Sequence, residues 1–491
     1  MKEVVKAAIT TGGAAVLAML FSAITGKVIS VVAGPTGIGL YSVLMQLYAT
    51  ALTFAAFGGG GNAVIQGVAS RTGLARDQFV VTTGWIHAAS ALLVALVVLI
   101  AAPAVPKLLG VNDATLGTTA VRALAVPLLL GVLVVFLTGL VNAFREITAL
   151  ARNRIWSSMT VAALAYPAAV IVRGGSQLAF VALISAGLLV QAVGLVAVMA
   201  RKQLFDARQF LRRDLLASDP VRHFSAVAGT FFAAGQLAQV GTLLITAAVV
   251  AKSGLPGAGL LNVSVTISTG YLMLVLGSFG TYYAPTVAAA PDIPAVRKSI
   301  DDVFRVSLMA SVPIIVTIVV LKPLVITLLY TGEFLPAQKV LRWMLIGDFL
   351  KIFSWVFAIP LSARAILKVY LASEMATIVL YYVLSMLLLP AVGSPEGVGV
   401  AFALTYACYL LFHVWYARLR WEFSPTRRDT LVWLLGLSLI VGASVSHWSA
   451  ERVRVFEACA WIAAALCASW WGLGSGTRGQ AVALVRRRLF R

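Results

Sequence analysis

Charge is the scarcest ingredient of this sequence. Only 11% of its 491 residues are Asp, Glu, Lys or Arg, while 60% are hydrophobic; an average soluble chain carries roughly 25% charge. So little charge cannot cover a water-facing surface of this size, which excludes a soluble globular protein and makes lipid the solvent. Cysteine is nearly missing. Cys408, Cys459 and Cys467 all fall in apolar runs, and neither a disulfide framework nor a zinc-binding spacing results. The four histidines, His87, His223, His413 and His447, are scattered without metal-ligand spacing, so each reads as a packing residue before a proton carrier. No G-x-x-x-x-G-K-[ST] phosphate loop exists, because Gly26-Lys27 is followed by Val28. The run Gly58-Gly59-Gly60-Gly61 reads as close packing or a flexible helix end. There is no Ser/His/Asp grouping and no carboxylate pair suited to hydrolysis. The sequence therefore offers no catalytic residues, no cofactor or metal site and no enzyme. Anything it moves must be driven by an ion gradient, the membrane potential or a concentration difference.

Acidic residues are also few, 18 against 38 Lys and Arg, for a net charge of +20. On a soluble protein that excess would suggest nucleic acid. In a membrane protein it marks cytoplasmic loops, where Lys and Arg concentrate, and no nucleic-acid partner is inferred. Long apolar runs are what the chain does have. A spanning helix needs roughly 20 predominantly apolar residues, and about fourteen segments meet that requirement: 8–33, 37–58, 79–102, 117–144, 150–172, 176–200, 223–250, 256–284, 303–321, 337–361, 366–390, 397–417, 430–447 and 456–473. The first is too long for a signal peptide and lacks a small-residue exit, so it reads as a spanning helix. Turn chemistry separates the runs at Gly34-Pro35-Thr36-Gly37, Leu255-Pro256-Gly257 and Ser394-Pro395-Glu396-Gly397.

Placing the N-terminus inside puts 27 basic residues in inner segments and nine in outer ones, with only Lys27 and Lys351 left within spans. That asymmetry supports fourteen crossings with both termini cytoplasmic. The longest inner loop, 201–222, divides the chain after the sixth helix. A repeat at a single offset of 220 residues links the two parts: Gly34, Gly37, Gly39 and Leu40 map onto Gly254, Gly257, Gly259 and Leu260, Leu52 onto Leu272, Gly60 onto Gly280, and Arg122 onto Arg342. Six helices per half is an even number, so both halves enter from the same side and the repeat is parallel. Such pairs typically enclose a central site and work by rocking. The expected fold is all-α integral membrane, with about 14 transmembrane helices: two parallel-repeat six-helix bundles around a central cavity, plus two extra C-terminal helices. The expected divisions are an N-terminal lobe at 1–200, the loop 201–222, a C-terminal lobe at 223–420, the added helices within 421–475 and a basic cytoplasmic tail at 476–491.

Charge inside a membrane is costly and marks candidate functional positions. Asp348 and Lys351 lie mid-span in the tenth helix at i and i+3 and share a face. They read either as a self-neutralising pair or as a cavity-facing site. Lys27 lies near the outer end of the first helix, where it either snorkels to the headgroups or faces substrate. Arg122 and Arg342, near the outer starts of helices four and ten, read singly as anchors and, as repeat mates, as lining one vestibule. Glu374 and Arg364 lie nearer the cytoplasmic face, where an interfacial role fits. The basic loops and Arg486-Arg487-Arg488 read as topology signals and contacts to anionic lipid.

The stretch Gly26-Lys27-Val28-Ile29-Ser30-Val31-Val32-Ala33-Gly34-Pro35-Thr36-Gly37-Ile38-Gly39-Leu40-Tyr41 resembles Wzx-type polysaccharide flippases of the multidrug/oligosaccharidyl-lipid/polysaccharide exporter superfamily. Gln46 fits the same pattern. Gly347-Asp348-Phe349-Leu350-Lys351 is similar to the segment in the branch that flips enterobacterial common antigen units. The resemblance covers roughly 1–420; many members stop at twelve helices, and the added pair is more like the peptidoglycan lipid flippase. It implies two six-helix bundles around a cationic cavity. It also implies translocation of an undecaprenyl-diphosphate-linked oligosaccharide from the inner to the outer leaflet of a bacterial cytoplasmic membrane. On that basis Lys27, Lys351, Arg122, Arg342 and Gln46 would bind substrate and Asp348 would couple to H+ or Na+, with membrane lipids, a polysaccharide polymerase and a chain-length regulator as partners. The competing readings are a drug/cation antiporter of the same fold and a non-transporting scaffold in polysaccharide assembly.

Overall fold

A long apolar segment in lipid must satisfy its backbone N–H and C=O groups internally, which a helix does. The computed structural model describes residues 2–110, 116–278, 283–445 and 451–472, and among them there is no strand. The helices are α1 (Lys2–Ala55), α2 (Gly60–Ala69), α3 (Gly73–Ala101), α4 (Val105–Leu108), α5 (Thr118–Ala123), α6 (Ala125–Ala143), α7 (Ile147–Arg173), α8 (Leu178–Arg201), α9 (Ser218–Ser278), α10 (Ala284–Ala289), α11 (Ile293–Val320), α12 (Lys322–Leu329), α13 (Gln338–Ala363), α14 (Leu367–Val392), α15 (Glu396–Trp421), α16 (Arg427–Val445) and α17 (Glu451–Gly472). Among the described residues, twelve stretches are long and apolar enough to cross a membrane. Two of them, Gly12–Ala55 and Gly235–Gly270, are 44 and 36 residues long. At about 1.5 Å per residue each outruns a bilayer core of about 30 Å. Each is broken by one glycine with left-handed φ, Gly34 (φ 63°, ψ −162°) and Gly254 (φ 67°, ψ −175°). Only a residue without a Cβ reaches this conformation cheaply. Counting both broken stretches twice gives the fourteen crossings that the apolar runs predict. Gly280, His447 and the tail with Arg486-Arg487-Arg488 lie outside the described residues.

The 220-residue offset holds for whole elements. Helices α5 and α6 together run 118–143 and α13 runs 338–363; α3 starts at 73 and α11 at 293; α7 starts at 147 and α14 at 367; α8 ends at 201 and α15 at 421. The turn before α7 has Arg145 at φ 62° and the turn before α14 has Ala365 at φ 57°. The two six-span halves thus repeat in the same order, and α16 and α17 follow them. Four short helices, α2, α4, α10 and α12, were not legible as apolar runs.

By contact the chain forms two compact units, residues 1–262 with 329–333, and residues 263–328 with 334–491. This partition follows packing, whereas the lobes expected from the repeat follow sequence; the boundaries differ. In the first unit, Phe79, Phe136, Leu140, Leu195 and Phe224 are buried together. His87 belongs to that core, 2% exposed, with its Nδ1 2.8 Å from the Thr83 carbonyl. The 201–222 segment is docked on the same unit rather than hanging free. The Trp85 indole donates to the Phe210 carbonyl at 3.2 Å, Gln209 donates to Asp77 at 3.3 Å, and Arg71 pairs with Asp219 at 3.4 Å. In the second unit, α16 and α17 pack on α11. Asp429 of α16 accepts from Arg305 of α11, with an N–O distance of 3.0 Å.

Candidate functional site

The repeat meets itself inside the first unit. A Cβ on Gly39 would run into the Leu255 carbonyl, and a Cβ on Gly259 would run into the Pro35 carbonyl. Pro35 and Leu255 are repeat mates, as are Gly39 and Gly259. The contact is therefore reciprocal, as a two-fold relation demands. It brings the segment after Gly34 against the segment after Gly254 at a separation that only glycine permits.

Two candidate residues lie on α1, on either side of the Gly34 bend. Lys27 is half-buried, and its ammonium donates to the Tyr330 carbonyl, while the Tyr330 ring packs against Gly26. The Gln46 amide donates to Gln239 of α9, at 3.3 Å to the carbonyl and 3.1 Å to Oε1. The neighbouring Gln236 is buried with neither amide atom hydrogen-bonded. Arg122, on α5, is exposed.

The second unit holds the other three. Asp348 is fully buried on α13 and accepts from the Ser268 hydroxyl at 2.7 Å. Lys351, one turn on, sits within 5.6 Å, 5.7 Å and 5.1 Å of the ring centroids of Trp355, Phe402 and Tyr406. Its ammonium lies within electrostatic reach of Tyr406, Asp348 and Glu374. An ammonium over several aromatic faces is held by their quadrupoles. Glu374 of α14 in turn accepts from the Tyr409 hydroxyl at 2.5 Å. Glu374, read from the sequence as interfacial, lies within electrostatic reach of Lys351. Arg364 is tied off elsewhere, donating to the Ala290 carbonyl at 2.8 Å. Arg342 lies apart from the cluster, nearly two turns before Asp348. It pairs with Glu396 of α15, which also accepts from the Trp343 indole at 2.9 Å.

Sequence reading brought out Asp348 and Lys351 because charge in an apolar run is conspicuous. It missed Ser268, Tyr406 and Tyr409, whose types are ordinary in spanning helices. The i, i+3 spacing of Tyr406 and Tyr409 was the available signal. No group of three or more His, Cys, Asp or Glu suited to a metal occurs among the described residues.

These features define a multi-pass α-helical membrane protein with a built polar cluster inside its spans. No family model matches the chain. In sequence it is 28% identical over 144 residues to the Lipid III flippase of Escherichia coli (strain K12), a stretch that is 29% of this chain and 34% of that protein. The match thus spans about a third of the relative's length. In structure it is similar to the Lipid II flippase MurJ in an inward closed conformation, with TM-score 0.71 and 13% identity over 99% of this chain and 100% of that one. It is also similar to an inward-facing multidrug resistance MATE family transporter of the MOP superfamily, with TM-score 0.66 and 12% identity over 82% and 94% of the two chains. The fold is that of the MOP superfamily of exporters, and the MurJ match extends over α16 and α17.

Proposed function

We propose that this chain is a flippase that carries undecaprenyl-diphosphate-linked oligosaccharide repeat units from the inner to the outer leaflet of a bacterial cytoplasmic membrane. It works by alternating access without ATP hydrolysis and serves cell-surface polysaccharide assembly. The observation that carries this reading is the sequence match to a Lipid III flippase, because the likeness to multidrug transporters is one of fold alone. Both termini face the cytoplasm, as the loop charges direct. The halves at 1–200 and 223–420 act as the two rocking lobes, and a polymerase and chain-length regulator take up the product.

In this proposal Lys27 and Lys351 offset the desolvation of the diphosphate, Gln46, Arg122 and Arg342 contribute along its path, and Asp348 takes part in ion coupling. Direction follows from charge. Moving about two negative charges outward across 100 mV, negative inside, releases roughly 4.6 kcal/mol at about 2.3 kcal/mol per charge. A drug/cation antiporter is less well supported. The aromatic and anionic surroundings that would suit a foreign cation are already filled by the ammonium of Lys351. The test is reconstitution in vesicles with a fluorescent undecaprenyl-diphosphate oligosaccharide. Leaflet exchange faster than in empty vesicles is expected. Exchange no faster than in empty vesicles, with the protein folded, would favour the scaffold reading.

A further inference from the structure

The α7–α8 pair and the α14–α15 pair are repeat mates, and each pair forms a groove at the corresponding place. The first groove, of about 270 Å³, lies between the start of α7 and the end of α8. Arg152, Asn153 and Trp156 form one wall, and Gly194, Val198 and Arg201 form part of the other. Asn153 is buried and donates to the Gln191 carbonyl at 2.8 Å. Gly194 leaves the room that its side chain needs, since a Cβ there would lie 2.0 Å from Asn153 Oδ1. One turn further along α7, Ser157 donates to the Gly187 carbonyl at 2.8 Å. The walls are thus fixed by the packing of α7 on α8. In the second groove the mates of Arg152, Asn153 and Trp156 are Ala372, Ser373 and Ala376, and the cation in its lining is Lys368. The mate of Arg201 is the buried Trp421. The groove comes with the repeat; the guanidiniums belong to the first copy alone.

Both arginines are exposed, and among the described residues neither has a hydrogen bond or an ion pair. Arg71, Arg305 and Arg342, by contrast, each face a carboxylate. Glu146, just before α7, is taken by Lys202 at 2.6 Å. Two guanidiniums on one groove suit a phosphate, which their planar forks bind in bidentate fashion. A zwitterionic headgroup would bring an ammonium toward the same two cations. The level in the membrane also fits a headgroup: Arg201 ends an apolar span, and Trp156 is an exposed indole, a side chain that collects at the membrane–water interface. Further into the span, Val193 and Leu189 are exposed in the same i, i+4 row as Ala197 of the groove wall, a track for an acyl chain. The volume falls below the roughly 300–1,000 Å³ of sites for drug-sized ligands, which suits a phosphate with its glycerol and excludes an oligosaccharide. We infer that the α7–α8 groove is a binding site for an anionic glycerophospholipid, its phosphate held by Arg152 and Arg201 and its chains lying along α8. Basic pockets between spanning helices take such lipids. The bound lipid fastens α8 to α7 where the 201–222 segment begins. This assignment does not depend on the flippase reading.

Native mass spectrometry of the full-length protein, delipidated in detergent and titrated with dioleoyl phosphatidylglycerol, resolves each lipid bound. The first lipid should bind more tightly than dioleoyl phosphatidylcholine does. Arg152→Gln and Arg201→Gln should each weaken it about fivefold, the factor expected for one cation at the membrane surface. The two changes together should abolish the preference for phosphatidylglycerol. Arg154→Gln removes the same charge two positions on, where the side chain points away from the groove, and should leave the first lipid within about twofold. Lys368→Gln, in the mate groove, should do the same. Should a glutamine variant fail to fold, Arg152→Lys carries the test with a smaller loss, since it keeps the charge and gives up the fork. Phosphatidylglycerol bound no more tightly than phosphatidylcholine would overturn the inference. So would an Arg154→Gln protein weakened as much as Arg152→Gln, because binding would then belong to the whole basic face. Competition identifies the source of the phosphate. Neither inorganic phosphate nor undecaprenyl diphosphate at equal concentration should displace the first lipid. Displacement by inorganic phosphate would make the groove a free-anion site, and displacement by undecaprenyl diphosphate would make it part of a substrate path; either overturns the assignment to a phospholipid.

Discussion

The two halves of this protein match in backbone and differ in charge. Gly34 and Gly254 adopt nearly the same left-handed bend, and α5–α6 and α13 occupy positions 220 residues apart at both ends. The charges do not follow. The repeat mates of Lys27, Asp348 and Lys351 are Ala247, Leu128 and Gly131; Leu128 is 0% exposed and Ala247 8%, both ordinary packing positions. Duplicated geometry thus supplies the scaffold, and each half has been given its own polar chemistry. The first half carries Lys27 beside a bend, and the second carries a cluster with carboxylates and aromatics. A symmetric frame with asymmetric charge is what a carrier needs if one half is to bind and the other to couple.

The largest expected effect tests the symmetry itself. Gly39→Leu and Gly259→Leu each drive a side chain into the mate segment's carbonyl, which should cost about 3 kcal/mol or more. The two losses should be alike. Gly12→Leu, where a Cβ meets nothing within 4 Å, is the control. Thermal unfolding in detergent measures all three. A tolerated Gly259→Leu beside a destroyed Gly39→Leu would break the reciprocal contact on which the repeat in space depends.

Next comes the asymmetry. Lys27→Ala should abolish flipping while the protein still folds. Adding Ala247→Lys, which moves the charge to the mate position, should not restore it, since Ala247 is buried. In the second half, Asp348→Asn with Lys351→Gln removes both charges of the i, i+3 pair and leaves Glu374 held by the Tyr409 hydroxyl, so folding should survive better than in Lys351→Gln alone. Recovery of full transport by that double variant would reduce the cluster to a structural pair. Both comparisons are read in reconstituted vesicles against an expression and melting control.

How much of this was legible without coordinates depended on what repeats in one dimension. The fourteen runs, the offset and the buried charges were all visible, because lipid demands long apolar segments and makes every charge stand out. The Gly34 and Gly254 bends were visible as turns; their merging of two spans into one continuous element was not. The short helices α2, α4, α10 and α12 are too brief for a hydropathy window. The Lys351 cluster was only half visible. Its partners come from α9, α14 and α15, and which hydroxyl or ring faces a given lysine is set by helix rotation, not by composition. Arg342 shows the same limit: its pairing with Glu396 joins residues 54 positions apart.

A smaller effect lies beside Arg342, on the segment between two spans. Lys322 is buried, and burial together with the nearby Arg342 lowers its pKa from 10.5 to about 8. The unfolded chain keeps its proton up to about 10.5, so between pH 8 and 10.5 the unfolded state binds more protons and stability should rise with pH. Below pH 8 both states are protonated and the full penalty of a buried ammonium applies. The total gain is at most about 3.4 kcal/mol, 2.5 pH units at about 1.36 kcal/mol each. Lys322→Met should flatten the dependence and raise stability at pH 7. A melting temperature of the wild type that falls steadily from pH 8 to 10 would contradict the assignment, provided the Met variant shows no such fall.

The last comparison, and the smallest, sets the arginine mates against each other. Arg122 and Arg342 occupy equivalent positions in the two halves, yet Arg122 is exposed and Arg342 is paired with a Glu396 whose side chain is 16% exposed. Arg122→Ala should therefore change stability by no more than about 0.5 kcal/mol. Arg342→Ala should cost about 1–3 kcal/mol, because it leaves a largely buried carboxylate with the Trp343 indole as its hydrogen-bond donor and Lys339 as its nearby cation. Restoring balance separates pairing from position. Arg342→Ala combined with Glu396→Gln should recover most of the loss, whereas Arg122→Ala combined with Glu396→Gln should be as unstable as Glu396→Gln alone. Transport sharpens the contrast in the opposite sense: the diphosphate proposed as substrate would recruit an exposed guanidinium more readily than one held by its own carboxylate. Flipping should consequently fall more with Arg122→Ala than with the stability-balanced Arg342→Ala, Glu396→Gln pair, measured at equal protein density in the same vesicles. If both arginines matter equally for transport and neither for stability, the ion pair with Glu396 is incidental and the mates share one role.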